Sequence, residues 1–67
     1  MKMIYFSDIP VGTIFEINTT SGIVLAKKCK PYPMFINAIT EKNPNNPDIL
    51  PGKKLWIDAD QIVWVSI

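Results

Sequence analysis

Hydrophobic and polar residues alternate in short runs along this chain, which is the pattern of β-strands. Between positions 13 and 18, Phe15 and Ile17 point to one side of an extended chain and their polar neighbours point to the other, with Ile14 as the one mismatch. Residues 23–29 repeat the alternation. No stretch keeps the i, i+3, i+4, i+7 spacing of an amphipathic helix. The pattern therefore predicts an all-β fold.

The strands are predicted at residues 13–18, 23–29, 34–40, 55–58 and 62–67. A polar Thr-Thr-Ser-Gly loop after the first strand predicts a hairpin whose glycine has a positive φ. The connection 41–54, with three prolines and three asparagines, is a long irregular loop, and positions 58–61 indicate a tight, 3₁₀-like turn. This order is typical of one five-stranded SH3-like barrel domain over residues 1–67, with an OB-like barrel as the alternative.

Length and composition favour an oligomer. A chain of 67 residues makes one domain and buries only about 60% of its unfolded surface, so small domains usually need a disulfide, a metal or a partner. The single cysteine, Cys29, excludes an internal disulfide, and the absence of histidine excludes an ordinary zinc site. Because 48% of the residues are hydrophobic, which is a high share for so small a domain, we expect a homo-oligomer without a bound metal.

Charge and motifs exclude several functions. The net charge is +1 and every cationic side chain is a lysine, so the basic surface expected of a duplex DNA-binding protein is absent. No apolar run approaches the length of a membrane span, and a lone thiol fits a reducing compartment, which predicts a cytoplasmic protein without a membrane partner. Cys29 has no histidine to serve as its base, and no cofactor motif is present. We expect no enzymatic activity and no cofactor.

The last predicted strand is apolar on both faces, and a small barrel cannot bury both. One set of residues, either Ile62 and Trp64 or the alternate positions ending at Ile67, is left over. The apolar segment 3–6, a candidate short strand, could shield it. Alternatively, it forms a subunit interface, where aromatic residues are enriched. The residues predicted for this interface are Ile62, Trp64 and Ile67.

Aromatic residues stand beside lysines at two places. Tyr32 follows Lys27 and Lys28, and Trp56 follows Lys53 and Lys54, so each aromatic ring could stack a base while the lysines neutralise phosphate. Asn37 lies between apolar neighbours, so either its face of the strand is the outer one or its amide has a partner, and it is a candidate contact for a base edge or ribose. The alternative is that the rings are ordinary packing and the lysines are solvated strand ends. The candidate ligand-binding residues are Lys27, Lys28, Tyr32, Asn37, Lys53, Lys54 and Trp56.

The decapeptide Phe6-Ser-Asp-Ile-Pro-Val-Gly-Thr-Ile-Phe15 resembles the opening of small phage-encoded SH3-like β-barrel proteins. A lysine in the second strand, the pair Asn37-Ala38 and the acidic turn before a valine-rich last strand extend the resemblance. It implies a non-enzymatic oligomeric effector in the host cytoplasm that sequesters a small anionic, nucleotide-like signal of host defence. The alternatives are a protein-interaction module that inhibits a host protein through loop 41–54 and the apolar strand face, or a weak single-stranded nucleic-acid binder.

Overall fold

A computed structural model describes residues 1–32 and 35–66 of the chain. In these residues the chain forms one antiparallel sheet and one short 3₁₀ helix at Phe6–Asp8. The strands are β1 (Lys2–Tyr5), β2 (Ile14–Thr19), β3 (Gly22–Lys28), β4 (Ala38–Thr40), β5 (Lys54–Leu55) and β6 (Ile62–Val65). Their order across the sheet is β1-β6-β2-β3-β4-β5. No helix in the described part of the chain is long and apolar enough to cross a membrane.

The last strand joins the two ends of the chain. β6 pairs with β1 along its whole length, from Lys2 opposite Val65 to Tyr5 opposite Ile62. On its other side β6 pairs with β2 where Glu16 faces Trp64. The candidate strand at residues 3–6 therefore exists as β1, at Lys2–Tyr5, and it covers one edge of β6.

One face of the sheet carries the core, as the alternating pattern predicts. Phe15 and Ile17 of β2 are buried while Ile14 is exposed, and Val24 and Ala26 of β3 are buried opposite them. The ring of Phe6 meets the ring of Phe15 edge to face at 5.3 Å. The buried apolar residues are Phe6, Ile9, Phe15, Ile17, Val24, Ala26, Ala38, Ile57 and Val63.

The predicted hairpin is confirmed between β2 and β3. Thr20 and Ser21 form its turn, and Gly22 follows with φ 108°, a value that side-chain-bearing residues rarely adopt. The Thr19 hydroxyl donates a 2.8 Å hydrogen bond to the Gly22 carbonyl oxygen. This turn fixes the register in which Phe15 faces Ala26.

The all-β prediction is confirmed, but the five-stranded closed barrel is wrong, because six strands form an open sheet. The third predicted strand, 34–40, covers only Ala38–Thr40, and Pro33 and Met34 lie outside the described residues. The Tyr32 amide instead donates to the Ile36 carbonyl oxygen at 2.8 Å, which closes a loop before the strand. Strand pairing therefore begins later than the alternation alone indicates.

Both predicted C-terminal strands are shorter in the structure. The prediction 55–58 corresponds to Lys54–Leu55, and 62–67 corresponds to Ile62–Val65, with Ile67 outside the described residues. Between them, the predicted turn at 58–61 is closed by one hydrogen bond from the Gln61 amide to the Asp58 carbonyl oxygen, at 3.1 Å.

The loop 41–54 is fixed to the sheet by side chains. The buried Thr40 hydroxyl donates to the Leu50 carbonyl oxygen at 2.7 Å and accepts from the Lys53 amide at 2.8 Å. Near the hairpin, the Asn46 side-chain amide donates to the Ile23 carbonyl oxygen at 3.2 Å. Ile49 packs against the core, whereas Leu50 stays 73% exposed.

Candidate functional site

A cavity of about 290 Å³ opens beside Trp56. Its walls come from three separate segments. These are the turn after β1, the residues at the end of β3 and just before the start of β4, and the link from β5 to β6. Most of the wall is apolar. The residues that line this Trp56 cavity are Phe6, Ser7, Val11, Lys28, Cys29, Pro31, Asn37, Trp56, Ile57 and Ala59.

Lys28 provides the positive charge in this wall. As the last residue of β3 it lies opposite Ala38, on the core face of the sheet, so its ammonium has to find partners inside the fold. It donates to the carbonyl oxygens of Phe6 at 2.9 Å and Ile9 at 2.7 Å, and it lies 4.6 Å from the centre of the Phe6 ring. An ammonium has three protons. Two go to these carbonyls, and the third has no hydrogen-bond acceptor among the described residues.

The rest of the described wall leaves the Lys28 charge unbalanced. No aspartate or glutamate is among the residues that line the Trp56 cavity. Both partners of the ammonium are neutral carbonyl oxygens. A cation that is half-buried among apolar groups is weakly screened, so its attraction for an anion is stronger there than at an open surface. The cavity is therefore suited electrostatically to an anionic ligand.

Asn37 supports the wall on the side of Ile57. Its side-chain nitrogen donates to the Ile57 carbonyl oxygen at 2.8 Å, and its side-chain oxygen accepts from the Ile57 amide at 2.7 Å. Asn37 is buried, so of the two alternatives the structure has the one in which the Asn37 amide has hydrogen-bond partners. The side chain takes the place of a neighbouring strand for Ile57, which explains why β5 ends at Leu55.

Trp56 is the more exposed of the two aromatic residues that line this cavity. It follows β5, its side chain is 52% exposed, and it lines the cavity together with Pro31. Tyr32 is 80% exposed but is not among the residues that line the cavity. The two aromatic residues predicted to bind a ligand therefore do not share the site.

Three of the predicted lysines lie elsewhere. Lys27 and Lys54 flank Ile39 on the face of the sheet opposite the core. Lys53 lines a separate cavity of about 450 Å³ together with loop residues Asn46 and Asp48. Of the seven predicted ligand-binding residues, the structure thus brings together Lys28, Asn37 and Trp56.

Most of the wall could not be assigned from the sequence. Phe6, Val11, Pro31 and Ala59 carry no ligand-binding motif, and Phe6 and Ala59 come together because β1 pairs with β6 and the turn after β1 meets the link before β6. The backbone shows this meeting directly, since the Ser7 amide donates to the Ala59 carbonyl oxygen at 3.0 Å. Among the residues described, no group of three or more potential metal-ligating side chains occurs.

Comparison with known proteins gave no match, whether to a family model, a curated protein or a solved structure. The functional interpretation therefore rests on the chemistry of the Trp56 cavity.

Proposed function

We propose that this protein is a non-enzymatic binding module whose Trp56 cavity holds a small anionic ligand with a planar ring. One observation supports this most strongly. The half-buried Lys28 lies in an apolar wall without a carboxylate, and the half-exposed Trp56 lines the same cavity. The ring offers a stacking surface, and the third ammonium proton offers a hydrogen bond to an anionic oxygen.

The size of the cavity supports a ligand no larger than one nucleotide. Ligand pockets in proteins usually measure about 300–1,000 Å³, and the Trp56 cavity, at about 290 Å³, is just below that range. A base or similar ring stacked on Trp56, with one acidic group at Lys28, is the arrangement we infer. Asn37 then acts as a support for the wall, since its amide already bonds Ile57.

The biological setting that we propose comes from the resemblance to phage-encoded proteins. A cytoplasmic effector that sequesters a nucleotide signal of host defence would need a pocket of this chemistry. The succession of hairpin, strand, long loop, strand, tight turn and last strand in β2 to β6 supports a relation to SH3-like folds, as an open sheet.

The test is a titration with nucleoside monophosphates and cyclic nucleotides, followed by amide NMR shifts. We expect shifts at Ser7, Cys29 and Ala59, and Trp56→Ala should weaken binding about 10-fold, since stacking on one aromatic ring contributes about 1–3 kcal/mol. Tyr32→Ala is the matched control, because Tyr32 is exposed but is not among the residues lining the cavity. Equal losses in both variants, or shifts confined to other surfaces, would contradict the proposal.

A protein-interaction module is the second candidate, and the exposed side chain of Leu50 in the long loop favours it. Removal of residues 43–48 should then abolish partner binding while leaving ligand shifts at the Trp56 cavity intact. Weak single-stranded nucleic-acid binding is the third. It requires an affinity that falls steeply with salt, because lysine–phosphate contacts release counterions.

A further inference from the structure

The two edges of the sheet differ in how well they are protected. β5 is two residues long and contains Lys54, next to Lys53 and a preceding Pro51-Gly52 turn. Short length, lysines and nearby proline are the usual means by which proteins prevent an edge strand from pairing. β1 is four residues long, and its last three residues, Met3-Ile4-Tyr5, are apolar. β1 is thus the edge at which another strand can add.

The hydrogen-bond pattern shows which backbone groups of β1 are free. The Phe6 amide donates to the Gln61 carbonyl oxygen at 2.9 Å, so the backbone of Phe6 faces β6. In an antiparallel ladder the facing side alternates from residue to residue. Ile4 and Lys2 therefore also bond to β6, whereas the N–H and C=O groups of Met3 and Tyr5 point away from the sheet. The side chains of Met3 and Tyr5 are 63% and 52% exposed.

We propose that β1 pairs antiparallel with β1 of a second copy, about a two-fold axis at Ile4. Met3 then faces Tyr5 of the second copy, and each of these two pairs exchanges both of its backbone hydrogen bonds. Four hydrogen bonds join the copies, and the two Ile4 residues face each other as a non-hydrogen-bonded pair. All outward-pointing groups of Met3 and Tyr5 are satisfied in this register.

The strand that adds to β1 belongs to a second copy of this chain, because the β1 edge is complementary to itself. On the outer face, Met3 lies beside Trp64 and Tyr5 lies beside Ile62, so pairing through β1 joins two such stripes into one apolar surface. The register also places Lys2 opposite Phe6 of the second copy, next to the turn that ends at Asp8. The two Lys2 ammonium groups are kept apart, since each lies opposite Phe6 and not opposite the other lysine. Dimerisation also adds buried surface to a domain that, because it is small, buries little surface by itself.

Tyr5→Pro tests the pairing without disturbing the subunit. Tyr5 has φ −69° and ψ 140°, which proline accepts, and its N–H points away from β6. We expect sedimentation velocity to show a concentration-dependent dimer for the wild type and a monomer for Tyr5→Pro with an unchanged circular dichroism spectrum. Tyr5→Val is the matched control, because valine keeps the N–H and favours strands. It should remain a dimer.

A cross-linking experiment tests the register. In a Cys29→Ser background, Ile4→Cys should form an intermolecular disulfide on oxidation, because the Cα atoms of a non-hydrogen-bonded pair lie about 4.5 Å apart, within the range of disulfides. Lys2→Cys is the control and should not cross-link, since Lys2 faces Phe6. A monomeric wild type, a dimeric Tyr5→Pro variant, or cross-linking at Lys2 in place of Ile4 would each overturn the proposal. These results do not depend on the ligand of the Trp56 cavity.

Discussion

Replacing Asn37 by alanine should lower the free energy of unfolding by more than the loss of one exposed polar side chain would. The substitution removes both hydrogen bonds to Ile57 and leaves a buried N–H and C=O without protein partners. Each orphaned buried group costs about 1–3 kcal/mol. Because Asn37 and Ile57 line the Trp56 cavity, water can reach the vacated positions and offset part of the cost. We therefore expect a loss of about 2–4 kcal/mol in the free energy of unfolding.

This loss is large against the stability of so small a domain. At about 0.05–0.15 kcal/mol per residue, a chain of this length has a free energy of unfolding of about 3–10 kcal/mol. Urea unfolding, followed by tryptophan fluorescence, measures the difference. With a slope near 1 kcal/mol per molar urea, the midpoint should fall by about 2–4 M.

Two further variants separate the hydrogen bonds from other effects of the substitution. Asn45→Ala changes an exposed asparagine of the long loop and should alter stability by less than about 0.5 kcal/mol. Asn37→Asp keeps an acceptor for the Ile57 amide but sets a carboxylate against the Ile57 carbonyl oxygen, so burial and repulsion raise its pKa in the folded state. The penalty is full above that raised pKa and disappears as the pH falls below about 3.9, the unfolded value. If Asn37→Ala costs no more than Asn45→Ala, the structural role assigned to Asn37 is wrong.

Two other substitutions give readily measured outcomes. Lys28→Met keeps the aliphatic stem but loses the hydrogen bonds to the carbonyl oxygens of Phe6 and Ile9. Thermal unfolding should show a loss of about 1–2 kcal/mol, and the proposed binding of anions should vanish. Unchanged stability would mean that these two hydrogen bonds do not support the fold. Gly22→Ala should cost about 1–3 kcal/mol because φ 108° strains any side-chain-bearing residue. Its added Cβ would lie 3.0 Å from the Asn46 amide nitrogen, yet Asn46→Ala should not rescue stability, because the backbone strain remains. Full rescue would point to the contact instead.

The sequence predicts those strands in which hydrophobic and polar residues alternate over enough positions to show which side chains are buried. β2 and β3 have six and seven residues, and their buried positions match the pattern. β4 and β5 are too short to show an alternation of hydrophobic and polar residues. At Ile57 the side chain of Asn37 makes the hydrogen bonds that a neighbouring strand would make. An asparagine that acts as a strand neighbour leaves no signal in hydropathy, so the strand boundaries there could not be predicted.

The site was partly predictable for a related reason. Trp56 and Lys28 attract notice by residue type alone, but their meeting depends on long-range pairing that local patterns do not contain. Lys28 stands in a run with Lys27 and Lys30, and only its register opposite Ala38 turns it inward. Lys27, one position earlier, faces outward for the same reason. A shift of one residue along a strand decides whether a lysine belongs to the cavity.

The wall of the Trp56 cavity is assembled from residues 6–11, 28–31 with Asn37, and 56–59, which lie near the beginning, the middle and the end of the chain. The three segments meet only in the folded sheet, so global unfolding dismantles the cavity. A ligand in this cavity is therefore linked to the global unfolding equilibrium, which it shifts by RT ln(1 + [L]/Kd). Binding should slow the amide exchange that proceeds through global unfolding, including exchange at amides far from the ligand.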